Sequence, residues 1–409
     1  MTVTLAIDKN VYGGEGLGRL GDGRVCFVPG AFAGETVRAE ITEQKKSFVR
    51  ARCVELVAAS PDRIAAFGAE PDGDATAVPG MVYSAVSYAA ELRFKESQLG
   101  NFLERIGQSY RHIEVVAGRS ENYRNKVTYH VQHVGGKWLM GYRRQGSHDV
   151  IDVTQDPLAR KEINEALPSV RAGVLSMLTQ GAQSVRREAR ERSAVTIRWT
   201  LDDGVRWWFG EPPEGLSFVE RTCGLRFGVS ADGFYQVNPE IGEKLVAAVA
   251  SAYADGVDVS PDIVDLYCGV GVFGLCCVNG VRGRGLSRQP RIVGVESGRA
   301  AVRSAKENAK AAGIAANFFC ERVGGSLSRI RIGENATVIV DPPRGGMERN
   351  VPAFLANSRA RRIFYVSCDP ATLTRDLQSM VGKYRIRRVR LFDMFPRTAR
   401  FETLVELEK

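Results

Sequence analysis

The sequence predicts a multi-domain protein with an N-terminal β-barrel of OB-like type, a central α+β domain and a C-terminal α/β Rossmann-like domain. Three observations carry this. Short apolar runs broken by glycine turns fill the first sixty residues. Strand-like and helical segments mix over residues 112–228. From residue 229 on, apolar strands alternate with helical stretches, the pattern of a doubly wound sheet. A length of 409 residues fits this division, because single domains run to about 100–200 residues. An apolar content of 44% is enough for real cores.

In chain order, residues 1–60 read as the barrel, with apolar runs at Val11–Gly23, Val25–Gly30, Gly34–Ile41 and Phe48–Leu56. Lys45, Lys46, Arg50 and Arg52 surround its last turn, as a solvated hairpin or as contacts to a polyanion. Residues 61–80, rich in Pro, Gly, Ala and Asp, read as a linker. Residues 81–111 hold a helix over about Ser87–Ile106, with Leu92, Leu99, Phe102 and Leu103 at helical spacing. Residues 112–228 give strands at Lys126–Gln132, Lys137–Tyr142, Ala194–Leu201, Arg206–Phe209 and Leu216–Cys223, and a helix near Leu158–Leu178. Residues 229–409 give strands at Ile263–Tyr267, Ile292–Glu296, Ala316–Cys320, Val338–Asp341, Arg362–Val366, Tyr384–Asp393 and Leu404–Leu407. Ligands on such a sheet bind beyond the carboxyl ends of its strands.

A formal charge of +9 and a pI of about 9.2 favour a polyanionic partner such as RNA or DNA. No apolar run reaches the roughly 18 residues of a membrane span. The N-terminal residues lack the basic and apolar segments of a secretory signal, so a cytoplasmic location is expected. Eight cysteines without a CxxC pair argue against a disulfide framework, zinc or an iron–sulfur site. His130 and His133 alternate on one strand without further ligands, so no metal is expected.

Three short runs carry the chemistry. Asp265-Leu266-Tyr267-Cys268-Gly269 ends a strand in a glycine turn ahead of a helix, where a backbone closely approaches a ligand. Glu296 ends the next strand, 29 positions after Tyr267, placed to accept ribose hydroxyl hydrogens. The spacing is longer than usual, and the excess falls in the Gly- and Arg-rich stretch Gly283–Arg291. Taken alone, this serves NAD or S-adenosylmethionine; no P-loop is present. Asp341-Pro342-Pro343-Arg344-Gly345 ends a fourth strand with a carboxylate, and Ser367-Cys368-Asp369-Pro370 ends the next with a thiol.

Taken together, these runs resemble the RNA uracil-C5 (5-methyluridine) methyltransferase family, over nearly the whole chain. Gly13-Gly14-Glu15-Gly16-Leu17-Gly18-Arg19 and Phe27-Val28-Pro29-Gly30 are similar to a TRAM domain. Tyr123-Arg124-Asn125-Lys126, Gly141-Tyr142-Arg143-Arg144, Phe234-Tyr235-Gln236-Val237-Asn238 and the run Met394–Thr403 complete the pattern. The resemblance implies S-adenosylmethionine as cofactor, held by Gln236, Tyr267, Glu296 and Asp341, with Cys368 as nucleophile and Glu402 as base. It implies a helix over 81–111 packed on a catalytic domain at 229–409, and an inserted RNA-contacting domain at 112–228. Many members carry four cysteines for an iron–sulfur cluster; here Phe67–Met81 has none and the last position reads Asp156, so no cluster is expected. The usual histidine two residues before the base is Arg400, and a common glutamine or histidine after the Phe-Pro pair is Arg397.

The chemistry needs these residue types. Uracil C5 accepts a methyl group only after a thiolate adds to C6 and makes an enolate. A free thiol is only a few per cent ionised at neutral pH, so Cys368 needs a helix N-terminus or a cation; the stretch Pro370–Gln378 looks helical. Glu402, 34 residues further on, would remove the C5 proton, and partial burial would raise its pKa. The base must leave its stack. Arg124, Lys126, Arg143 and Arg144 are candidate phosphate contacts. Amino-group methyltransferases carry an aromatic after a similar acid-Pro-Pro run, where this chain has Arg344. The reading is a monomeric enzyme forming 5-methyluridine, preferably in 23S rRNA, because a TRAM-like barrel accompanies the rRNA enzymes. A tRNA substrate, cytosine C5 as target, or a non-catalytic RNA-binding protein keeping the fold are the alternatives.

Overall fold

The structure, a computed structural model, describes residues 1–66, 78–108, 113–144, 146–180, 194–255, 262–286, 288–334 and 336–409. Most of the stretch read as a linker over 61–80 lies outside the described residues.

Strands β1 (Thr2–Asn10), β2 (Gly16–Arg19), β3 (Val25–Val28), β4 (Thr36–Gln44) and β5 (Phe48–Ala58) close a barrel in the order β1-β2-β3-β5-β4. Leu5, Ile7, Cys26, Val28, Val37, Ala39, Val49 and Ala51 alternate inward to fill it. A side chain at Gly18 would collide with the Ala6 carbonyl on the paired strand, which explains a glycine inside β2.

Helix α1 (Tyr88–Glu104) starts where the Ser87 hydroxyl accepts from Ala90 N at 3.3 Å. Leu99 and Leu103 face the core of the large sheet, while the Gln98 amide donates to Asn10 O of the barrel at 3.2 Å. The chain then adds β6 (Glu114–Val116) to the edge of the large sheet. Residues 114–116 therefore belong with the C-terminal unit rather than with the central region to which the sequence pattern allotted them.

The central unit is a five-stranded antiparallel sheet, β7 (Lys126–Val134), β8 (Lys137–Arg143), β9 (Val150–Asp152), β10 (Ala194–Thr200) and β11 (Gly204–Phe209), in the order β11-β10-β7-β8-β9. Helix α2 (Lys161–Gln180) covers one face through Ile163, Leu167, Val170 and Val174. Asp156, at the position of the missing fourth cysteine, is a buried hub. It accepts from the Tyr129 and Tyr142 hydroxyls at 3.1 and 2.7 Å and from Leu158 N at 2.9 Å. Main-chain bonds at Asn125 tie the start of the unit to the chain that returns to the large sheet: Asn125 N donates to Val237 O at 2.9 Å, and Trp199 N donates to Asn125 O at 2.8 Å.

A hairpin, β12 (Ser217–Thr222) and β13 (Leu225–Ser230), follows. The sequence places this segment in the central domain. In the structure Phe227 and Val229 pack into the core of the large sheet, so the hairpin bridges the two units.

The C-terminal unit comprises α3 (Pro239–Ala254), β14 (Ile263–Leu266), α4 (Val272–Gly280), β15 (Ile292–Glu296), α5 (Arg299–Ala312), β16 (Ala316–Cys320), α6 (Val323–Ser326), β17 (Thr337–Val340), α7 (Val351–Ala356), β18 (Arg362–Ser367), α8 (Pro370–Leu377), β19 (Arg385–Phe392) and β20 (Glu402–Glu408). The sheet order is β16-β15-β14-β17-β18-β20-β19-β6, parallel from β16 to β18 and antiparallel at β20. Successive strand residues feed opposite layers. Ile263, Ile339, Phe364 and Val366 meet α3, α4 and α5, while Val264, Val338, Ile363 and Tyr365 meet α1, α7 and α8. In the Gly283–Arg291 loop the arginines are exposed yet engaged with the protein. Arg284 donates to Ala254 O at 3.0 Å, and Arg288 and Arg291 pair with Asp262 at 2.8 and 2.9 Å.

Candidate active site

Strand register assembles the site. Leu266 pairs with Val295 on one side and Val340 on the other, so Tyr267, Glu296 and Asp341 are the next residues of three adjacent parallel strands. The antiparallel ladder between β18 and β20 ends at Ser367 and Thr403, which leaves Cys368 opposite Glu402. Residues widely separated in sequence thus line one rim of the sheet.

At the β14 end the backbone turns sharply. Tyr267 has φ 61°, a left-handed conformation that costs a non-glycine residue of order 1–3 kcal/mol. Gly269 and Gly271 follow at φ 53° and 87°, and α4 begins at the second of them. The Glu296 carboxylate accepts from Gly269 N at 3.3 Å and Gly298 N at 2.7 Å. The Tyr267 hydroxyl donates to Glu348, which also accepts from Gly324 N at 3.3 Å. Asp265 is wholly buried; one oxygen accepts from Gly274 N at 3.1 Å and the other has no hydrogen-bond partner. Burial, with Glu296 nearby, pushes its pKa up to about 7. Burial and the charges of Asp265 and Glu296 likewise push Asp341 up to about 7. The buried Oε1 of Gln236 also lacks a hydrogen-bond partner. Crowded carboxylates, two orphaned acceptors and a glycine turn fit a nucleotide-like group that carries positive charge and polar hydrogens.

At the β18 end, Cys368 is half-buried and Glu402 is 4% exposed. Asp369 caps α8, accepting from Ala371 N at 3.0 Å and Thr372 N at 3.1 Å. The expected help from this helix N-terminus is therefore shared with a carboxylate. Burial, then Glu402 and Asp341, push the Cys368 thiol up to about 12, and Arg344 pulls it down. Burial and Asp341 hold the Glu402 carboxyl well above the ordinary range, again opposed by Arg344. The Cys368 thiol keeps its proton at neutral pH in the chain alone. Arg344 is the cation that favours the anions of both groups, and its segment is pinned to α8: the Thr372 hydroxyl donates to Arg344 O at 3.3 Å and Arg375 to Gly345 O at 3.0 Å.

Behind the rim lies a buried ion cluster. The Lys95 ammonium, wholly buried on α1, donates to Asp393 at 2.6 Å, to Glu91 at 2.7 Å and to Phe395 O at 3.3 Å. Glu91 also accepts from Arg397 N at 2.7 Å, and Asn238 donates to Met394 O at 3.2 Å. These bonds fix the Met394–Arg400 segment that delivers Glu402.

The candidate RNA contacts divide. Arg143 and Arg144 are exposed at the end of β8. Arg124 is half-buried over the Tyr123 ring, 5.8 Å from its centroid, and donates to that hydroxyl at 3.4 Å. The Lys126 ammonium donates to Ala231 O at 3.4 Å, and burial lowers its pKa. Sequence reasoning missed Asp265, Arg344 and the Lys95 cluster. The Arg344 signal was present in the run after the two prolines; the others depend on tertiary contacts.

Site and sheet together define a nucleotide-cofactor transferase with a thiol and a carboxylate at its reaction end. Comparison with known proteins gives the family. A model described as tRNA (Uracil-5-)-methyltransferase matches residues 214–409, and a TRAM domain model matches residues 2–54. An uncharacterized RNA methyltransferase of Streptomyces coelicolor is 31% identical over 433 residues, 97% of this chain and 90% of the relative. The 23S rRNA (uracil(1939)-C(5))-methyltransferase RlmD of Chromohalobacter salexigens is 29% identical, over 99% of this chain and 89% of the relative. The fold matches that of the Pyrococcus abyssi tRNA (uracil-54, C5)-methyltransferase in complex with S-adenosyl-L-homocysteine. That match has a TM-score of 0.70 at 21% identity and covers 98% of this chain and 100% of the other. The chain belongs to the S-adenosylmethionine-dependent RNA uracil-C5 methyltransferase family, with an N-terminal TRAM domain.

Proposed function

We propose that this protein methylates C5 of a uridine in 23S ribosomal RNA, through a covalent adduct on Cys368. The observation that carries the reading is the register of β18 against β20, which sets a thiol opposite a buried carboxylate beside Asp341. Gln236, Tyr267, Glu296 and Asp341 would hold the cofactor, with Asp265 behind them. S-adenosylmethionine, when bound, supplies the methyl group. The Cys368 thiolate adds to C6, and the electron pair of the C5–C6 double bond moves into the ring as an enolate. C5 then gains the methyl group while keeping its hydrogen. Glu402 takes that hydrogen as a proton, the double bond re-forms, and the thiolate leaves. Arg344 favours both anions on which this sequence depends.

Arg143 and Arg144 are the exposed candidates for phosphate contact on the central unit, with the barrel as a second RNA surface. Arg124 and Lys126 are better suited to shaping the unit's base. The domain scheme assigns RNA binding to the barrel and the five-stranded unit, and chemistry to the large sheet with α1 and the bridging hairpin. Among the described residues no helix is long and apolar enough to cross a membrane. A cytoplasmic monomer completes the proposal.

The test is incubation of rRNA and tRNA lacking 5-methyluridine with labelled S-adenosylmethionine, beside Cys368→Ala. Labelled 5-methyluridine in rRNA, made by the parent alone, supports the reading. Label confined to tRNA moves the substrate. No label in either RNA, with cofactor still bound, sinks the uridine reading.

A further inference from the structure

Three segments far apart in sequence meet at the hydroxyl of Tyr12, in the barrel loop between β1 and β2. Arg400 donates to that oxygen at 2.7 Å, and the hydroxyl lies 3.4 Å from Asp369 Oδ2, to which it donates. Arg400 also stands 3.4 Å from the same Asp369 oxygen. The Tyr12 ring packs edge-on against Phe102 of α1 and Phe401, each at 5.8 Å, with the Arg400 guanidinium 5.4 Å from its centroid. Asp369 follows the candidate nucleophile directly and uses its other oxygen to cap α8. Arg400 precedes the candidate base by two residues.

We propose that Tyr12 is a positioning residue for methyl transfer. Through Arg400 and Asp369 its hydroxyl holds the segments bearing Cys368 and Glu402 in one arrangement, so that the seating of the barrel sets the geometry of the catalytic pair. This rests on the function proposed above. The hydroxyl is not needed to dock the barrel: Gln98 already bonds Asn10 O, and the loop's Gly14 sits so close to Val82 that a side chain there would collide with it. The polar partners of Tyr12 are residues of the two catalytic segments. Burial, with Asp369, pushes the phenol up to about 12, so it keeps the proton it donates. Arg400 is long enough to reach both the barrel and Asp369.

Tyr12→Phe keeps both ring contacts and removes only the hydroxyl. With RNA and cofactor saturating, the single-turnover rate is expected to fall about tenfold or more, because small misplacements of reacting groups are costly. RNA affinity is expected to stay unchanged. Introduced into Asp369→Asn, which still caps α8, the same change is expected to add little further loss. An unchanged rate, a loss confined to RNA affinity, or additive losses would each overturn the proposal. Absence of 5-methyluridine from the parent itself would overturn the functional reading instead. Alkylation of Cys368 by iodoacetamide then decides the inference: Tyr12→Phe is expected to change its rate roughly threefold or more, and an unchanged rate refutes it.

Discussion

Replacing Asp265 with asparagine is predicted to stabilise the protein without cofactor above pH 7 and to weaken cofactor binding. Asp265 is wholly buried, and its ordinary pKa of 3.8 is pushed up to about 7 in the folded chain. A raised carboxyl pKa means that the folded state holds the proton more tightly than the unfolded state. Stability from this group is complete below about pH 4 and declines as the pH rises to about 7. The difference from 3.8 to about 7 corresponds to roughly 4 kcal/mol, an upper figure because Glu296 contributes part of it. Asparagine still accepts from Gly274 N and carries no charge, so the variant loses this pH dependence. The assay is urea unfolding at pH 4, 6 and 8, with and without S-adenosylhomocysteine. Tryptophan fluorescence is the wrong probe, since Trp138, Trp199, Trp207 and Trp208 all lie in the five-stranded unit. Pulsed labelling of the buried thiols of Cys276 and Cys277 reports on the large sheet. Identical pH profiles for parent and variant would refute the electrostatic argument, as would undiminished ligand stabilisation in the variant.

Glu402→Gln is expected to slow product release by about 10²–10⁴-fold and to accumulate RNA covalently bound to protein, seen as a denaturant-resistant band. Cys368→Ala is expected to show neither band nor product. Alkylation of Cys368 in the chain alone is expected to rise with pH toward about 12, and Arg344→Ala is expected to slow it at pH 9, measured on the Cys368 peptide. Lys95→Met leaves Asp393 buried without its cation and Glu91 with only the more distant Arg397 guanidinium, and is expected to cost about 3–5 kcal/mol in an unfolding titration.

The parallel strands of the large sheet were legible because each is a short apolar run ending in a chemical group. Ile263–Leu266, Ile292–Glu296 and Ala316–Cys320 agree with the expected strands to within a residue. Periodicity also revealed α1, but it could not show that Lys95, charged and in the middle of that helix, is wholly buried, because its counter-charge Asp393 lies about three hundred residues away. Strand β6 was missed for a related reason: three residues carry little pattern, and their partner is β19. The hairpin β12–β13 has ordinary alternation, and nothing in it shows which core it joins. Among the site residues, motif order brought out Cys368, Glu402 and Asp341. The crowding that raises all their pKa values is a property of register, visible only once strands are paired. Arg124 and Lys126 illustrate the opposite difficulty: charge in a sequence looks like surface, yet both side chains are turned toward protein partners.

The hydrogen bond between Asn125 and Val237 has an evolutionary meaning. The chain between them leaves and returns at neighbouring backbone positions, and among its described residues only the hairpin buries side chains in the core of the large sheet, so the five-stranded unit is an ornament on a loop of the larger fold. Its two ends are already joined, and lengthening, trimming or exchanging what hangs between them adds little closure entropy. The sheet that carries Cys368 and Glu402 need not change register when the ornament does. The unit can be remodelled while the register that sets Cys368 opposite Glu402 stays as it is, with Gln236, one residue from the junction, as the point where the two histories meet.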